Sequence, residues 1–460
     1  MNILEKLSQE LKKYCVRLHG AALISGGEVV DEIYLPPYTR DTKTRLYSTT
    51  KSVAAIAIGK LVGEGRISLD DKVTDIFKSR FDMTDVHPLL KEQTVRQMLT
   101  MTTVYSKPTY DANTREWLAS YFKAEPTHPA GTLWHYDSCG SYVIGAITKL
   151  VTGMDFIEYL RPEFDEIGVS EGIYCLEGPD GEAWASSGFI ATTEDLGRIA
   201  YLMLKRGKWG DKQLIPEDFA IDAISPLVTN TDRAIFSRYD CGYGYQIWSH
   251  PGGAFAFRGL GGQIAIGYPG RDLVFVCTSD TSGNHNAYDD IFRTVEEIVL
   301  PHFPITNEAE HEQMLPKPVN SNVYSEIVNK TYILNDNPLN IEAISFEDKN
   351  GASVLNYTKG GKSYTLPFTV GKESLTVFPE GYHAHRLFDK SESLRYRCSV
   401  SAEWTEPQKL RIRVWAEDIY VGNMTMVFAF REDGMIALKA DKNAQFFFDD
   451  FSGVAYGRSK

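Results

Sequence analysis

The sequence lacks features that mark several large classes of protein. No window reaches the roughly 18 uncharged apolar residues of a membrane-spanning helix, and no run of Lys and Arg is long enough to form a basic patch. Residues 1–15 mix charged and apolar side chains, whereas a signal peptide has a continuous apolar stretch. The pattern predicts no membrane span, no nucleic-acid partner and a cytoplasmic location.

Cysteine is also scarce, with six residues among 460. They are scattered along the chain with no paired short spacing, which argues against a zinc knuckle, a disulfide framework and a redox pair. We therefore expect no metal site and no cofactor, and interpret these side chains as reduced thiols: Cys15, Cys139, Cys175, Cys241, Cys277 and Cys398.

The acidic charge is concentrated in one part of the chain. Residues 1–321 carry 31 basic and 43 acidic side chains, whereas residues 322–460 balance 17 against 18. A chain of this length exceeds the roughly 250 to 300 residues of one hydrophobic core. A stretch rich in proline and acids separates the two parts. We predict a domain over 1–305, a linker over 306–321 and a second domain over 322–460.

The second domain has the pattern of a small all-β fold, a barrel or a sandwich. Short runs of alternating, β-branched and aromatic residues follow one another, and turn sequences such as Lys359-Gly360-Gly361-Lys362 separate several of them. The predicted strands lie in the runs SYTLPFTV, SLTVFP, LRIRVWAEDIYV, MTMVFAF and MIALKA.

The first domain mixes helical and strand periodicity. A hairpin is predicted over Ala21–Tyr34, with Gly26-Gly27 as its turn, and two further strands late in the domain, with helices between. This order predicts an α+β fold: an antiparallel sheet closed by both ends of the domain, flanked by helices, with an inserted helical region. The other predicted elements are helices Val53–Val62, Ser141–Val151 and Thr193–Arg206, the last with Thr193 as its cap, and strands Gln263–Tyr268 and Leu273–Thr278.

A nucleophile motif stands at the start of the apolar helix. In Ser48-Thr49-Thr50-Lys51, the helical spacing places the hydroxyl and the amine on one face. A lysine in an apolar place loses part of its preference for the charged form and can accept the serine proton. The spacing alone is weak, because Ser120 and Lys123 repeat it on what reads as a solvated helix face.

The other motifs that accompany Ser48 along the sequence make the assignment specific. Gly65-Arg66-Ile67-Ser68-Leu69-Asp70-Asp71 closes the helical unit, a leucine-containing segment follows at 95–103, and Pro129-Ala130-Gly131 leads to Tyr136-Asp137-Ser138. In this order the motifs resemble the serine β-lactamases and penicillin-binding proteins, in particular the class C-like branch with esterases and aminohexanoate-oligomer amidases. The resemblance covers roughly residues 15 to 300 and implies a β-lactamase-like fold.

The resemblance assigns roles to residues of two further motifs. Tyr136 corresponds to the family's catalytic tyrosine, which moves a proton between nucleophile and leaving group, and Ser138 would orient Lys51 or the substrate. The active-site strand is predicted at 257–263, where the family carries Lys-Thr-Gly or His-x-Gly. By motif position the backbone N–H groups of Ser48 and Leu260 form the oxyanion hole.

This strand also departs from the family pattern. Phe257 occupies the basic position, which in β-lactamases helps to hold the substrate carboxylate, so β-lactam hydrolysis is disfavoured. Phe257, Arg258 and Gly259 are predicted to contact substrate. Arg258 could replace the missing charge, but alternation along a strand favours a side chain that points away, solvated or structurally paired.

The motifs for other kinds of catalytic or binding site are weaker in this sequence. A Gly-x-Ser-x-Gly elbow is absent from the sequence. Gly360-Gly361-Lys362-Ser363 ends like a phosphate-binding loop but lacks the earlier glycine. His383 and His385 lack the spacing of a metal site, and Cys139 is interpreted as a buried small side chain.

The combined prediction is a serine hydrolase that forms an acyl-enzyme on an ester, an amide or a short peptide. Lys51 and Tyr136 take the proton of Ser48, and the acidic charge favours neutral or cationic substrates. Two alternatives stay open: a true β-lactamase or D-amino-acid peptidase, and a binding protein that keeps the fold without activity. The sequence does not decide whether the chain forms a homo-oligomer.

Overall fold

The structure is a computed structural model of the 460-residue chain. It describes residues 2–230, 237–307, 319, 321, 323–349, 352–382, 394–418, 421–444, 447–448 and 450–460. The chain divides into two compact units. The first unit contains residues 1–101, 107–124 and 136–316, and the second contains residues 102–106, 125–135 and 317–460.

The centre of the first unit is an antiparallel sheet of seven strands in the order β2-β1-β12-β11-β10-β9-β8. Strand β1 pairs with β2 on one side and with β12, the last strand of the unit, on the other, so the two ends of the unit close one sheet, as predicted. The remaining strands form a three-stranded sheet and a two-stranded sheet. The strands are β1 Arg17–Ser25, β2 Glu28–Tyr34, β3 Thr44–Arg45, β4 Tyr174–Cys175, β5 Phe189–Ala191, β6 Lys208–Trp209, β7 Lys212–Gln213, β8 Gly242–Tyr243, β9 Trp248–Ser249, β10 Phe255–Gly259, β11 Gln263–Tyr268 and β12 Leu273–Asp280.

Helices flank this sheet, and several of them lie in the region between β3 and β8. One core cluster forms where the first and last helices of the unit pack on the sheet. The helices are α1 Ile3–Lys13, α2 Thr49–Gly63, α3 Val73–Phe77, α4 Pro88–Lys91, α5 Val95–Leu99, α6 Trp117–Lys123, α7 Ser138–Thr152, α8 Phe156–Tyr159, α9 Arg161–Glu166, α10 Thr193–Leu204, α11 Glu217–Ile224 and α12 Ala287–Ile298. The α+β prediction is confirmed.

Helix α2 is buried on nearly every side, which explains its lack of a polar face. Its small residues, among them Ala54, Ala55 and Ala57, are fully or almost fully buried. The helix begins at Thr49 and ends at Gly63. The apolar run alone predicts Val53–Val62, and the motif Ser48-Thr49-Thr50-Lys51, predicted to stand at the start of this helix, accounts for the polar first turn.

Two other boundaries differ from the sequence prediction. Helix α10 does begin at Thr193, but its cap is Thr192, whose side chain accepts a hydrogen bond from the Asp195 N–H at 3.1 Å. Thr193 instead hydrogen-bonds to Thr278 on β12. Helix α7 begins at Ser138, three residues earlier than predicted, because the Asp137 carboxylate caps it.

The second unit is built on ten antiparallel strands in one curled, barrel-like sheet, with the order β16-β15-β14-β13-β22-β21-β20-β19-β18-β17. Aromatic and aliphatic side chains from most of these strands fill one core, so the all-β prediction is confirmed. One short helix, α13 Tyr324–Ile327, precedes the sheet. The strands are β13 Thr331–Leu334, β14 Ile341–Lys349, β15 Ala352–Lys359, β16 Lys362–Phe368, β17 Ser374–Val377, β18 Arg397–Glu406, β19 Lys409–Ala416, β20 Gly422–Phe430, β21 Met435–Ala444 and β22 Gly453–Ser459.

The boundaries of the two compact units can be compared with the predicted domain boundaries. The main boundary falls after Pro316, inside the predicted linker 306–321, most of which lies outside the described residues. Residues 102–106 and 125–135 belong to the second unit, although their sequence position places them within the predicted first domain. Their own pattern is irregular, and only contacts made in the fold assign them there.

Several smaller predictions can be compared with the structure. The tract at 360–363 forms the turn and start of the hairpin between β15 and β16, as its composition indicated. His383 and His385 lie outside the described residues. Within the described residues no cluster could hold a metal ion, the six cysteines are free thiols, and no helix has the length and apolarity to cross a bilayer.

Candidate active site

Ser48 sits at the junction between a strained turn and helix α2. The preceding residue, Tyr47, has a φ of 49°, which is rare for a residue with a side chain. Ser48 itself is the N-cap residue, but its side chain makes no capping hydrogen bond. Its hydroxyl is therefore directed to other partners, at the positive end of the helix dipole.

Lys51 is the first of these partners. Its Nζ donates to Ser48 Oγ across 3.1 Å and to the Ser186 carbonyl oxygen across 2.6 Å. The side chain is 2% exposed. Burial lowers the pKa of Lys51 to about 7, although the nearby Asp137 charge opposes this change. A substantial fraction of this amine is therefore neutral near neutral pH and able to accept a proton.

Tyr136 is the second partner of Ser48. The Ser48 side chain hydrogen-bonds to the phenol, and Lys51 Nζ lies 5.0 Å from the centre of the tyrosine ring. Burial raises the pKa of Tyr136 to about 12, while the Ser48 hydrogen bond and the Arg258 charge act in the opposite direction. Its ring stacks on Trp248 at 5.6 Å. The structure thus brings the three predicted catalytic side chains together.

The active-site strand β10 lies directly beside the serine turn. A Cβ atom on Gly259 would overlap the carbonyl oxygen of Leu46, so only glycine allows this approach. Leu260 follows the strand with 68% of its surface exposed, before a turn in which Gly261 and Gly262 both have positive φ. In the described turns, the N–H groups of Ser48 and Leu260 donate to no backbone oxygen.

Phe257 and Arg258, both predicted to contact the substrate, have buried side chains in the structure. Phe257 is fully buried and packs against Phe255, so its side chain offers no surface to a substrate. Arg258 is also buried and forms an ion pair with Asp240, while its guanidinium stacks 4.3 Å from the Trp248 ring centre. Of the two states expected for Arg258, solvated or structurally paired, the structure has the paired one.

Among the described residues Ser138 makes no hydrogen bond with Lys51, and its predicted contact with the substrate stays a prediction. Ser138 is the first residue of α7, and the Lys51 amine, within the described residues, donates to Ser48 and to the Ser186 carbonyl instead. Sequence reasoning missed Ser186 because a backbone carbonyl leaves no mark in the residue type.

Gln246 is not among the predicted site residues, but it makes several hydrogen bonds next to the site. Its carbonyl accepts from Ser52 on α2, its side-chain oxygen accepts from Ser141 on α7, and its amide donates to the carbonyl of Met98 on α5 and to that of Leu99. It is 2% exposed. Gln246 therefore joins the helix of Ser48 and Lys51 to the helix that follows Tyr136.

The second Ser-x-x-Lys sequence forms no such site. Ser120 Oγ donates to the Trp117 carbonyl within α6, and Lys123 is largely exposed beside Glu116. Burial of the amine and its contact with the serine distinguish Lys51 from this sequence match. A serine in contact with a buried lysine and a tyrosine is an arrangement that suits acyl transfer.

Comparison with known proteins gives the family. Residues 16–299 match the model of the Beta-lactamase family, and the chain belongs to that family. A 6-aminohexanoate-dimer hydrolase from Paenarthrobacter ureafaciens is 24% identical over 223 residues, 44% of this chain and 56% of the relative. The chain thus spans little more than half the length of this curated relative.

Solved structures share the fold. SurE aligns over 99% of this chain and 97% of its own, with a TM-score of 0.54 and 17% identity. EstCE1, a hydrolase with promiscuous acyltransferase activity, aligns over 63% of this chain and 98% of its own, with a TM-score of 0.50 and 14% identity. The likeness to SurE includes the C-terminal sheet.

Proposed function

We propose that this protein is a serine hydrolase that cleaves an ester or an amide through an acyl-enzyme. The observation that carries the proposal is the contact of Ser48 with both a buried Lys51 and Tyr136. The hydrolase relatives support the same reaction type. No metal or organic cofactor is required for it.

The reaction has two halves. Ser48 Oγ attacks the substrate carbonyl carbon, its proton passes to Lys51 or Tyr136, and the carbonyl oxygen becomes an oxyanion near the Ser48 and Leu260 N–H groups. The carbon–oxygen or carbon–nitrogen bond then breaks, and the leaving group takes up the proton. In the second half, water attacks the acyl carbon, gives its proton to the same base and releases the acid and Ser48.

The charge of the site favours neutral or cationic substrates. The family lysine is replaced by the buried Phe257, and Arg258 is already neutralised by Asp240. The excess of acidic residues also lies in this part of the chain. A substrate carboxylate would therefore be held less well than in a β-lactamase.

A matched pair of serine variants tests the proposal. Wild type, Ser48→Ala and Ser120→Ala are assayed with neutral p-nitrophenyl esters, an amino-acid p-nitroanilide and a chromogenic cephalosporin. We expect ester or anilide turnover that Ser48→Ala abolishes and Ser120→Ala preserves. Cephalosporin turnover dependent on Ser48 would instead identify a β-lactamase. Silence with all substrates, together with no phosphonate adduct on Ser48 by mass spectrometry, would leave a binding protein.

A further inference from the structure

The end of strand β10 borders the serine turn. The strand pairs with β11 from Phe255 to Gly259, but with β9 only through Phe255 and Ala256. Beyond Ala256 it has no second partner strand among the described residues. At its end, Gly259 lies against the Leu46 carbonyl of the serine turn. The peptide group that joins Gly259 to Leu260 is therefore next to the nucleophile.

The orientation of this peptide group decides where its N–H points. A trans peptide holds its C=O and its N–H in one plane and in opposite directions. The N–H of Leu260 is the proposed oxyanion donor, and the C=O of the same peptide belongs to Gly259. A group that binds this carbonyl therefore also aims the oxyanion donor.

Tyr288, in the first turn of α12, binds the carbonyl. Its phenol donates to the Gly259 oxygen across 2.9 Å. Burial raises the pKa of Tyr288, although the charge of Arg258 opposes this change, so the phenol keeps its proton and stays a donor at ordinary pH. Because a hydrogen bond to the carbonyl polarises the whole peptide group, it also makes the Leu260 N–H a stronger donor.

A stacked guanidinium holds the ring of Tyr288. The guanidinium carbon of Arg258 lies 4.3 Å from the centre of the Tyr288 ring and 4.3 Å from the centre of the Trp248 ring. The ion pair with Asp240 holds the guanidinium in turn. Trp248 stacks on Tyr136, with ring centres 5.6 Å apart. One row of packed side chains thus links the residue that binds the peptide group to the candidate catalytic tyrosine.

We propose that Tyr288 is a positioning residue that aims the Leu260 N–H at the oxyanion. It acts through the peptide group, so the N–H and not the phenol contacts the reacting atoms. The inference rests on the proposed function for its catalytic consequence, since an oxyanion forms only if the chain catalyses acyl transfer. It adds to the candidate site a residue that lies outside all of the predicted motifs.

Removal of a single hydroxyl group tests the proposal. Tyr288→Phe keeps the ring that stacks on Arg258. We expect kcat for a neutral p-nitrophenyl ester to fall by about 10- to 100-fold with KM changed less than about twofold, because the donor is misdirected and not lost. The pH profile should keep its wild-type midpoint, because Tyr288 makes no hydrogen bond with Lys51 among the described residues. An unchanged kcat or a shifted midpoint would overturn the proposal.

A thionoester gives a readout that a merely structural role would not change. Its sulfur is a weaker hydrogen-bond acceptor than oxygen, so its turnover depends less on the oxyanion donors. We expect the ratio of kcat/KM for the oxygen ester to that for the matched thionoester to fall by about fivefold or more in Tyr288→Phe. This ratio does not depend on the fraction of enzyme that is folded. An unchanged ratio would contradict a role in aiming the donor.

The matched control is Tyr239→Phe. The Tyr239 phenol donates to Glu296, on the same helix α12, across 2.9 Å. The control therefore also removes a phenol that binds α12, but it leaves the Gly259 carbonyl bonded. We expect its kcat and its substrate ratio to stay within about twofold of wild type. Equal losses in the two variants would indicate a general loosening of α12 and refute the positioning role.

The two proposals fail in distinguishable ways. Absence of turnover and of phosphonate labelling in wild type refutes the hydrolase. NMR of isotope-labelled protein then still tests the positioning, because the carbonyl carbon shift of Gly259 and the amide nitrogen shift of Leu260 respond to a donor on that carbonyl. Both signals should move in Tyr288→Phe and stay in place in Tyr239→Phe. Unmoved signals in Tyr288→Phe would refute the positioning role, whether or not the protein is a hydrolase.

Discussion

Lys51 donates to Ser48 Oγ and to the Ser186 carbonyl at the same time, so one buried amine is directed at the nucleophile by a backbone group. The carbonyl fixes the position of Nζ without adding a negative charge. A carboxylate in the place of this carbonyl would raise the pKa of the lysine and keep it protonated. The arrangement therefore aims the amine and preserves its basicity.

The first prediction concerns the pH dependence of activity. With Lys51 as base, its neutral form is the active one, and burial lowers its pKa to about 7. We expect kcat/KM for a neutral ester to rise with pH through about 7 and then to level off. The profile is measured between about pH 5.5 and 9 in buffers of constant ionic strength. Lys51→Arg, which stays protonated, should lose about 10²- to 10⁴-fold in rate; a flat wild-type profile would contradict the assignment.

The second prediction concerns stability. The folded-state pKa of Lys51 lies below its ordinary value, so the unfolded chain binds more protons between these two values. Stability from this group therefore rises with pH above about 7 and is lowest in acid. Lys51→Met removes the buried charge. Its gain in Tm over wild type should be largest near pH 6 and smallest near about pH 10, by calorimetry. A gain independent of pH would contradict the shift.

Much of the candidate catalytic group could be predicted from sequence because its members lie in short motifs. The spacing of Ser48 and Lys51 places them on one helical face, and the Pro-x-Gly lead-in marks Tyr136. The choice against Ser120 needed the neighbouring motifs, since the spacing alone is identical. The sheet was predictable because its strands alternate or run apolar between turn sequences.

The parts that could not be predicted depend on backbone atoms or on distant pairing. The Ser186 carbonyl and the Gln246 contacts have no signature in residue type. Strands such as β18 and β22 were missed, because several polar or small residues interrupt their periodicity. The apolar cluster of Leu133 with Val427, Ala429 and Ala437 forms only when residues about 300 positions apart in the sequence come into contact.

The third prediction concerns the tyrosine. Tyr136→Phe keeps the ring that stacks on Trp248 but removes the phenol that meets Ser48. We expect kcat to fall by about 10²- to 10⁴-fold with little change in unfolding midpoint. Tyr201→Phe serves as the control. Tyr201 lies on α10, and its phenol donates to the Asp272 carboxylate across 2.8 Å, so this variant also removes a hydrogen-bonded phenol but not one that meets Ser48. A Tyr136→Phe enzyme with at least half of wild-type kcat would show that Lys51 acts alone.

The fourth prediction concerns the approach of strand β10 to the serine turn. Gly259→Ala places a methyl group against the Leu46 carbonyl, and a backbone atom cannot move aside as a flexible side chain does. We expect a loss of about 10²-fold in kcat/KM from displaced oxyanion donors. Gly65→Ala, at a left-handed residue with open space around it, should cost about 1 kcal/mol of stability and no activity. Equal activity of the two variants would exclude the steric argument.

The last prediction concerns the ion pair behind the site. Arg258 and Asp240 are 3% and 4% exposed, so removal of one charge leaves the other buried without its partner. Arg258→Met should lower the free energy of unfolding by about 3–5 kcal/mol, because it leaves a buried carboxylate alone. Arg258→Met with Asp240→Leu should recover part of that loss, since two apolar side chains need no pairing. Urea denaturation of the two variants measures the difference, and a double variant less stable than the single one would mean that the pair is not the source of the loss.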